Sequence, residues 1–346
     1  MKQIKIGIIG AGAVAEINHL PAAQRSPEVK IVAIVDLDLK RARSLAAQFG
    51  VSYVTQDYRD LFGKVDGVIN ALPNYLHAPI SIEFLRRKIA VLVEKPMALN
   101  AAEANAMIQT AHQNHSLLAV GLQGHFFRRM ALIKQALDEG LVGRVAHFSL
   151  EWGFPFSWPL RSGYLFDPKQ AGGGVLIDLG SHALGLLSWW FGNVMSFEYW
   201  DDSQAGVESE CRLSLSFQHG AGMVKGVALL SRLRQLRNVV CIMGEQFVLE
   251  CDLATNGGVR FTPDRSEVKG SLPPYFDFLG QQSDLDLCVE QLRNFSRAIA
   301  GAEKLKVPAE KVLATVSLIE GCYRERKPLA SSWKPELFHE VVAKTP

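Results

Sequence analysis

Residues 4–15 read Ile4-Lys5-Ile6-Gly7-Ile8-Ile9-Gly10-Ala11-Gly12-Ala13-Val14-Ala15. The isoleucine-rich run fits a central parallel strand buried on both faces. It passes straight into G-x-G-x-x-A, then an amphipathic stretch to about Arg25, then a second apolar run, Lys30–Val35, closed by Asp36. Strand, glycine loop, helix, strand and acid is the order of a dinucleotide-binding unit, and each part has a physical task. Gly10 permits the tight turn. Gly12, with Ala13 and Val14, lets a pyrophosphate approach backbone N–H groups at a helix N-terminus. Ala15 keeps that helix close to the sheet. Asp36 accepts hydrogen bonds from adenosine ribose hydroxyls and repels a 2′-phosphate, which argues for NAD. Lys40 and Arg41 follow within one turn and could reach such a phosphate, so NADP stays as the alternative.

Working outward, the alternation continues. Helices are expected over Asp38–Gln48, Asp57–Phe62, Ala78–Lys88 and Ala101–Asn114. Strands are expected over Val51–Val54, Gly67–Ala71, Ile89–Val93 and Leu117–Gly121. Such spacing implies a doubly wound parallel sheet with right-handed crossovers, a Rossmann domain over residues 1–122. Ligands of such sheets bind beyond the carboxyl ends of the strands. Leu72, Asn74, His77, Glu94, Lys95 and Pro96 all fall on that edge. Further on, Gly172-Gly173-Gly174-Val175-Leu176-Ile177-Asp178-Leu179-Gly180-Ser181-His182 combines three glycines, suited to close approach by a flat ligand, with an apolar helix. Asp178 and His182 stand four apart and share a helix face. Taken alone, the pair reads equally as an oriented base or as a helix N-terminus with a solvent-facing histidine.

Glu94-Lys95-Pro96 at a strand end, Pro73-Asn74-x-x-His77 before it and the Gly172–His182 stretch after it form a combination that resembles the Gfo/Idh/MocA oxidoreductases. The resemblance runs from Ile4 to about Lys327. It implies a second α/β domain, residues 123–346, with a large, open, mostly antiparallel sheet. It also implies a nicotinamide cofactor and a sugar or cyclitol substrate. In similar proteins the lysine of Glu-Lys-Pro contacts nicotinamide ribose and substrate, and the proline is often cis; here these are Lys95 and Pro96. The histidine takes the hydroxyl proton and the aspartate orients it or binds substrate, roles that fall on His182 and Asp178. The chemistry agrees, since oxidising a secondary alcohol needs a hydride acceptor and a base on the same hydroxyl. His125 stands where an arginine is commoner in similar proteins; it either binds a substrate hydroxyl or packs under Phe126.

The second half reads as strands at Arg144–Trp152, Val194–Trp200, Ser209–Phe217, Gly222–Leu230, Arg237–Met243 and Phe247–Cys251, with Gly220 and Gly244 at hairpin turns. Helices are expected over Leu285–Ala300 and Ala309–Arg324, and Trp333–Pro346 either folds back or frays. The aromatic loop from Trp152 nominates Trp158, Arg161 and Tyr164 for a sugar ring or an acidic group, against simple packing at a subunit contact. One sheet face needs cover, so a homodimer or homotetramer through the C-terminal sheet is expected. Arg232, Arg234 and Arg237 read as a solvated strand edge.

Composition narrows the function classes. The 346 residues are 48% hydrophobic and 21% charged, with a net charge of +2, which gives no electrostatic case for nucleic acid or an anionic membrane. Five cysteines without C-x-x-C spacing indicate neither disulfides nor zinc, and His112-x-x-His115 lacks a third ligand, so no metal is expected. No signal-peptide pattern or apolar run of about 18 residues is seen, so a cytoplasmic, non-membrane protein is expected. The leading reading is an NAD(P)-dependent dehydrogenase or ketoreductase of a sugar, cyclitol or sugar derivative. A glycosidase using NAD in a transient oxidation–elimination cycle and a non-catalytic cofactor-sensing regulator are the competitors.

Overall fold

The computed structural model describes residues 3–203, 206–220, 222–254, 257–263 and 282–330. The expectation for Trp333–Pro346 lies outside them. The described residues form two compact units, one drawn from 3–131, 158–172 and 282–320, the other from 132–157, the described part of 173–263, and 321–330.

The first unit carries six strands: β1 (Ile4–Ile9), β2 (Val29–Val35), β3 (Tyr53–Thr55), β4 (Gly67–Asn70), β5 (Ala90–Val93) and β6 (Leu118–Val120). They pair in the order β3-β2-β1-β4-β5-β6, all parallel. The order reverses between β1 and β4, which is where doubly wound sheets bind ligands. Ile6, Ile8 and Ile34 are wholly buried, the result of cover on both faces. Between these strands lie α1 (Leu20–Gln24), α2 (Leu39–Phe49), α3 (His77–Leu85) and α4 (Ala101–Asn114). A π-helical turn, Ala15–His19, precedes α1. Local sequence sets the ends. Asp38 accepts the Arg41 N–H to start α2, Gly50 ends it in the left-handed region, and Asn100 accepts the Glu103 N–H to start α4.

Helix α5 (Arg128–Asp138) bridges the division, and the short α6 (Pro168–Ala171) packs beside the turn at Asn74–Leu76 in the first unit. The second unit is built on α7 (Val175–Phe191) and eight strands: β7 (Val145–Gly153), β8 (Val194–Asp201), β9 (Glu210–His219), β10 (Gly222–Ser231), β11 (Val239–Gly244), β12 (Phe247–Asp252), β13 (Val259–Pro263) and β14 (Lys327–Pro328). Their order is β13-β12-β11-β7-β10-β9-β8-β14, antiparallel except for β7–β10 and β8–β14. Helix α7 packs on β7, β9 and β10. Phe148, Phe191 and Phe217 pack ring to ring at that interface, with centroids 5.4–5.8 Å apart.

Two late helices follow, α8 (Asp284–Ile299) and α9 (Ala309–Arg324). A reciprocal Ser283–Asp286 capping box starts α8. Although late in sequence, α8 belongs to the first unit. Its apolar face (Cys288, Leu292, Phe295) joins the core of Ile6, Ile34 and Leu92. The described helices include none long and apolar enough to cross a membrane.

Candidate functional site

In the first unit the glycine loop is a set of close contacts with one opening. Gly10 has φ +101°, and a Cβ there would lie 2.5 Å from the Ala71 carbonyl oxygen. Only glycine meets both demands. At Gly12 an added Cβ would meet no protein atom within 4 Å, so the fold itself leaves that position clear. Asp36 is anchored behind the loop. Its Oδ2 accepts the Ala11 N–H at 2.7 Å, and its Oδ1 takes the Asp38 N–H and Arg41 at 2.8 and 3.2 Å. The loop thus provides what a dinucleotide needs: space over Gly12, a helical start beyond it, and an acid at the second strand end. Gly12→Val is expected to leave the thermal midpoint within about 2 °C while weakening NAD binding more than ~10-fold, as calorimetry and a binding titration would show.

At the ends of β4 and β5, buried polar groups shape the chain. Asn70 Nδ2 bonds the His77 carbonyl and Ser81 Oγ, both at 3.1 Å. His77 is 1% exposed, with Nδ1 2.7 Å from the Pro96 carbonyl oxygen and Nε2 2.8 Å from that of Leu72. Burial pushes its pKa below the ordinary histidine value, against the pull of those carbonyls. Asn74 Nδ2 donates to the Ala171 carbonyl at 2.7 Å. The Lys95–Pro96 peptide is cis. From Ile89 to Ala98 every residue is buried except Lys95. Glu94 bonds His19, a buried residue absent from the sequence reading. Burial alone would raise Glu94, but the His19 contact and nearby Lys95 outweigh it and hold its pKa below the usual glutamate range.

His125 follows β6 and is buried beside Phe126. Burial, with the charges of Lys306 and Lys311, pushes its pKa down to about 4 against a backbone bond that raises it. The native ring is therefore neutral near neutrality, while the unfolded chain gains a proton below about 6.5. The stability this confers is fully present above that value and is lost as pH falls toward 4, by about 3 kcal/mol in all. Urea unfolding of the wild type and His125→Gln across this range is expected to show a shallower acid loss in the variant. Of the aromatic-loop residues, Trp158 is 39% exposed, Tyr164 opens a short turn, and Arg161 bonds Glu16 at 2.7 Å beside the glycine loop.

The second unit supplies α7. Every residue from Val175 to Leu187 is buried except Asp178 and His182. The helix is apolar almost all round and exposes one strip, on which the carboxylate and imidazole lie one turn apart. The His182 ring centroid is 6.0 Å from that of Trp152 on β7. Asp178 is ion-paired with Arg232, whose side chain is only 9% exposed and whose guanidinium faces the Phe156 ring at 5.3 Å. This corrects the reading of Arg232 as part of a solvated edge, whereas the Arg234 and Arg237 side chains are 39% and 52% exposed, as that reading expects. Arg234 grips Glu210 at 2.5 and 2.6 Å, and Arg237 lies 3.7 Å from Glu151. Each arginine faces an acid from a distant segment, which a local charge pattern cannot show.

Two of the three glycines have a packing role that the sequence reading lacks. A Cβ on Gly173 would lie 2.0 Å from the Tyr323 hydroxyl, and one on Gly174 would lie 1.8 Å from the Glu208 carbonyl oxygen. At Gly173 and Gly174 the close approach is to protein. Glu208 Oε1 accepts the N–H groups of Gly174 and Leu176 at 2.9 Å and the Tyr323 hydroxyl at 2.7 Å, so it caps the start of α7. Among the described residues no group of three or more His, Cys, Asp or Glu is placed to hold a metal, and His112 pairs instead with Glu310 at 2.6 Å.

Comparison with known proteins places this geometry. Residues 4–122 match the profile described as an oxidoreductase family with an NAD-binding Rossmann fold, and residues 130–250 match the C-terminal domain of the same family. The chain belongs to the GFO/IDH/MocA oxidoreductase family. Its first unit is an NAD-binding Rossmann fold. Among curated relatives, trans-1,2-dihydrobenzene-1,2-diol dehydrogenase of Mus musculus is 32% identical over 192 residues. That match spans 55% of this chain and 56% of the mouse protein, so it covers about half of each. Rhizopine catabolism protein MocA of Rhizobium meliloti is 25% identical over 327 residues, 92% of this chain and 94% of that protein. Levoglucosan dehydrogenase, solved with NADH and levoglucosan, has TM-score 0.81 and 20% identity, covering 94% of this chain and 97% of its own. At that identity the family fold is what is shared.

Proposed function

We propose that this protein transfers a hydride between NAD and a secondary alcohol or ketone of a sugar, cyclitol or sugar derivative. The observation that carries the reading is selective exposure. Two buried runs, Ile89–Ala98 and Val175–Leu187, let only Lys95, Asp178 and His182 reach the surface. In a family of NAD-binding oxidoreductases, those three match the needs of alcohol oxidation. NAD, when bound, supplies the hydride acceptor.

His182 takes the hydroxyl proton, a general-base task suited to an imidazole. Asp178 orients that imidazole and binds substrate hydroxyls, and Arg232 holds its carboxylate. Lys95 meets the substrate and the nicotinamide ribose. Gly10, Gly12, Ala13, Val14 and Asp36 hold the dinucleotide, with Leu72, Asn74, His77, Glu94 and Pro96 shaping the strand edge beside it. Asp36 favours NAD over NADP. His125, Trp158, Arg161 and Tyr164 serve substrate recognition.

Residues 1–122 thus carry the cofactor and residues 123–346 the substrate determinants, in a cytoplasmic homodimer or homotetramer assembled through the second sheet. The support from known proteins is that relatives include an inositol 2-dehydrogenase of Rhizobium meliloti, and that solved proteins of this fold were crystallised with sugars or sugar nucleotides and NADH.

The test is a spectrophotometric screen of polyols, cyclitols and aldoses with NAD and with NADP. Formation of reduced nicotinamide with one polyol class is expected. Cleavage of a glycoside with no net cofactor reduction would favour the glycosidase reading instead.

A further inference from the structure

The backbone around Lys95 is held from below by a buried pair. His19 closes the π-helical turn after the glycine loop and is 1% exposed; Glu94 is 6% exposed. His19 Nε2 lies 2.8 Å from Glu94 Oε1, and Glu94 Oε2 accepts the Lys95 backbone N–H at 3.2 Å. One carboxylate therefore joins the helical start beyond the dinucleotide loop to the peptide from which Lys95 projects. A third contact closes around it, because a Cβ on Gly121 would lie 2.9 Å from Glu94 Oε2. Beyond Lys95, the Pro96 carbonyl is held by His77. The turn is thus fixed on both sides of its one half-exposed residue.

Stability gives a weak reason for this arrangement. A buried ion pair is often replaceable by well-packed apolar residues at little or no loss. Directional control gives a better one, since side chains that must meet reacting atoms are held by buried hydrogen bonds behind them. We propose that His19 is a positioning residue for Lys95, acting through Glu94 to fix the Lys95 backbone relative to the dinucleotide loop. The inference rests on the role given to Lys95 above.

The test uses the full chain with His19→Leu, His19→Gln and Glu94→Gln. Two quantities are measured: steady-state kinetics with NAD and an accepted polyol, and the labelling rate of Lys95 by an acylating reagent, followed by peptide mass spectrometry against exposed Lys304. His19→Leu is expected to lower kcat ~10–100-fold with KM for NAD within about threefold, and to change Lys95 labelling several-fold relative to Lys304. His19→Gln, whose amide N–H can meet Glu94, is expected to recover most of both.

If His19→Leu does not fold, Glu94→Gln carries the same expectation, because it keeps the shape but turns one of the two acceptor oxygens into an amide donor. Wild-type kcat and Lys95 labelling in a folded His19→Leu or Glu94→Gln protein would overturn the proposal. So would losses in His19→Gln as deep as those in His19→Leu. A wild type that turns over no polyol would refute the functional reading instead, and Lys95 labelling would then decide the positioning role by itself.

Discussion

His182→Ala is expected to lower kcat/KM by ~10²–10⁴-fold, the range over which a positioned general base contributes. NAD affinity, read by titration of protein fluorescence, is expected to stay within about twofold, because the loss falls on proton transfer and not on cofactor binding. The reason is local. His182 stands on the one exposed strip of α7, one turn beyond Asp178, and its ring sits against Trp152. Removing the imidazole leaves the helix core untouched, so the thermal midpoint is expected to change little. If the variant turns over at the wild-type rate, His182 is not the base.

Gly174→Ala has the largest expected effect on folding. The added Cβ would lie 1.8 Å from the Glu208 carbonyl oxygen and 2.8 Å from the Glu208 nitrogen. That oxygen is also the acceptor of the Val175 N–H at 2.9 Å, so backing away breaks the bond that starts α7. Backbone has no alternative rotamer to escape into. A loss of at least about 3 kcal/mol is expected, beyond the usual range for a single overpacked methyl. Scanning calorimetry is expected to show a midpoint lower by roughly 10 °C. Gly163→Ala is the control, since a Cβ there meets nothing within 4 Å. A Gly174→Ala protein as stable as that control would mean that the start of α7 is not packed as described.

Much of the first unit was legible because its signals are local. Ile4–Ile9, the glycine loop and Asp36 lie within one β-α-β segment, and buried parallel strands declare themselves as apolar runs. The position of Lys95 at the end of such a run was legible for the same reason, while its role came from the resemblance of Glu94-Lys95-Pro96 to a family motif. What stayed hidden depends on distant segments. Arg232 reads as part of a basic cluster until β10 brings it to Asp178 on α7. His19 is a lone histidine in an amphipathic stretch until β5 places Glu94 beside it. The purpose of Gly173 and Gly174 could not be read locally, because their close neighbours, Tyr323 and Glu208, come from α9 and the segment before β9. The packing of α8 with the first unit is likewise long-range, decided by which apolar face it can cover.

The central claim is that hydride passes directly from a carbinol carbon to NAD. It is tested most directly with an accepted polyol deuterated at the oxidised carbon, following the label by mass spectrometry of the nicotinamide and of the product. The account predicts that each ketone formed is matched by a reduced nicotinamide carrying the deuterium. Product that accumulates without labelled reduced nicotinamide, or with the deuterium lost to solvent, would contradict it.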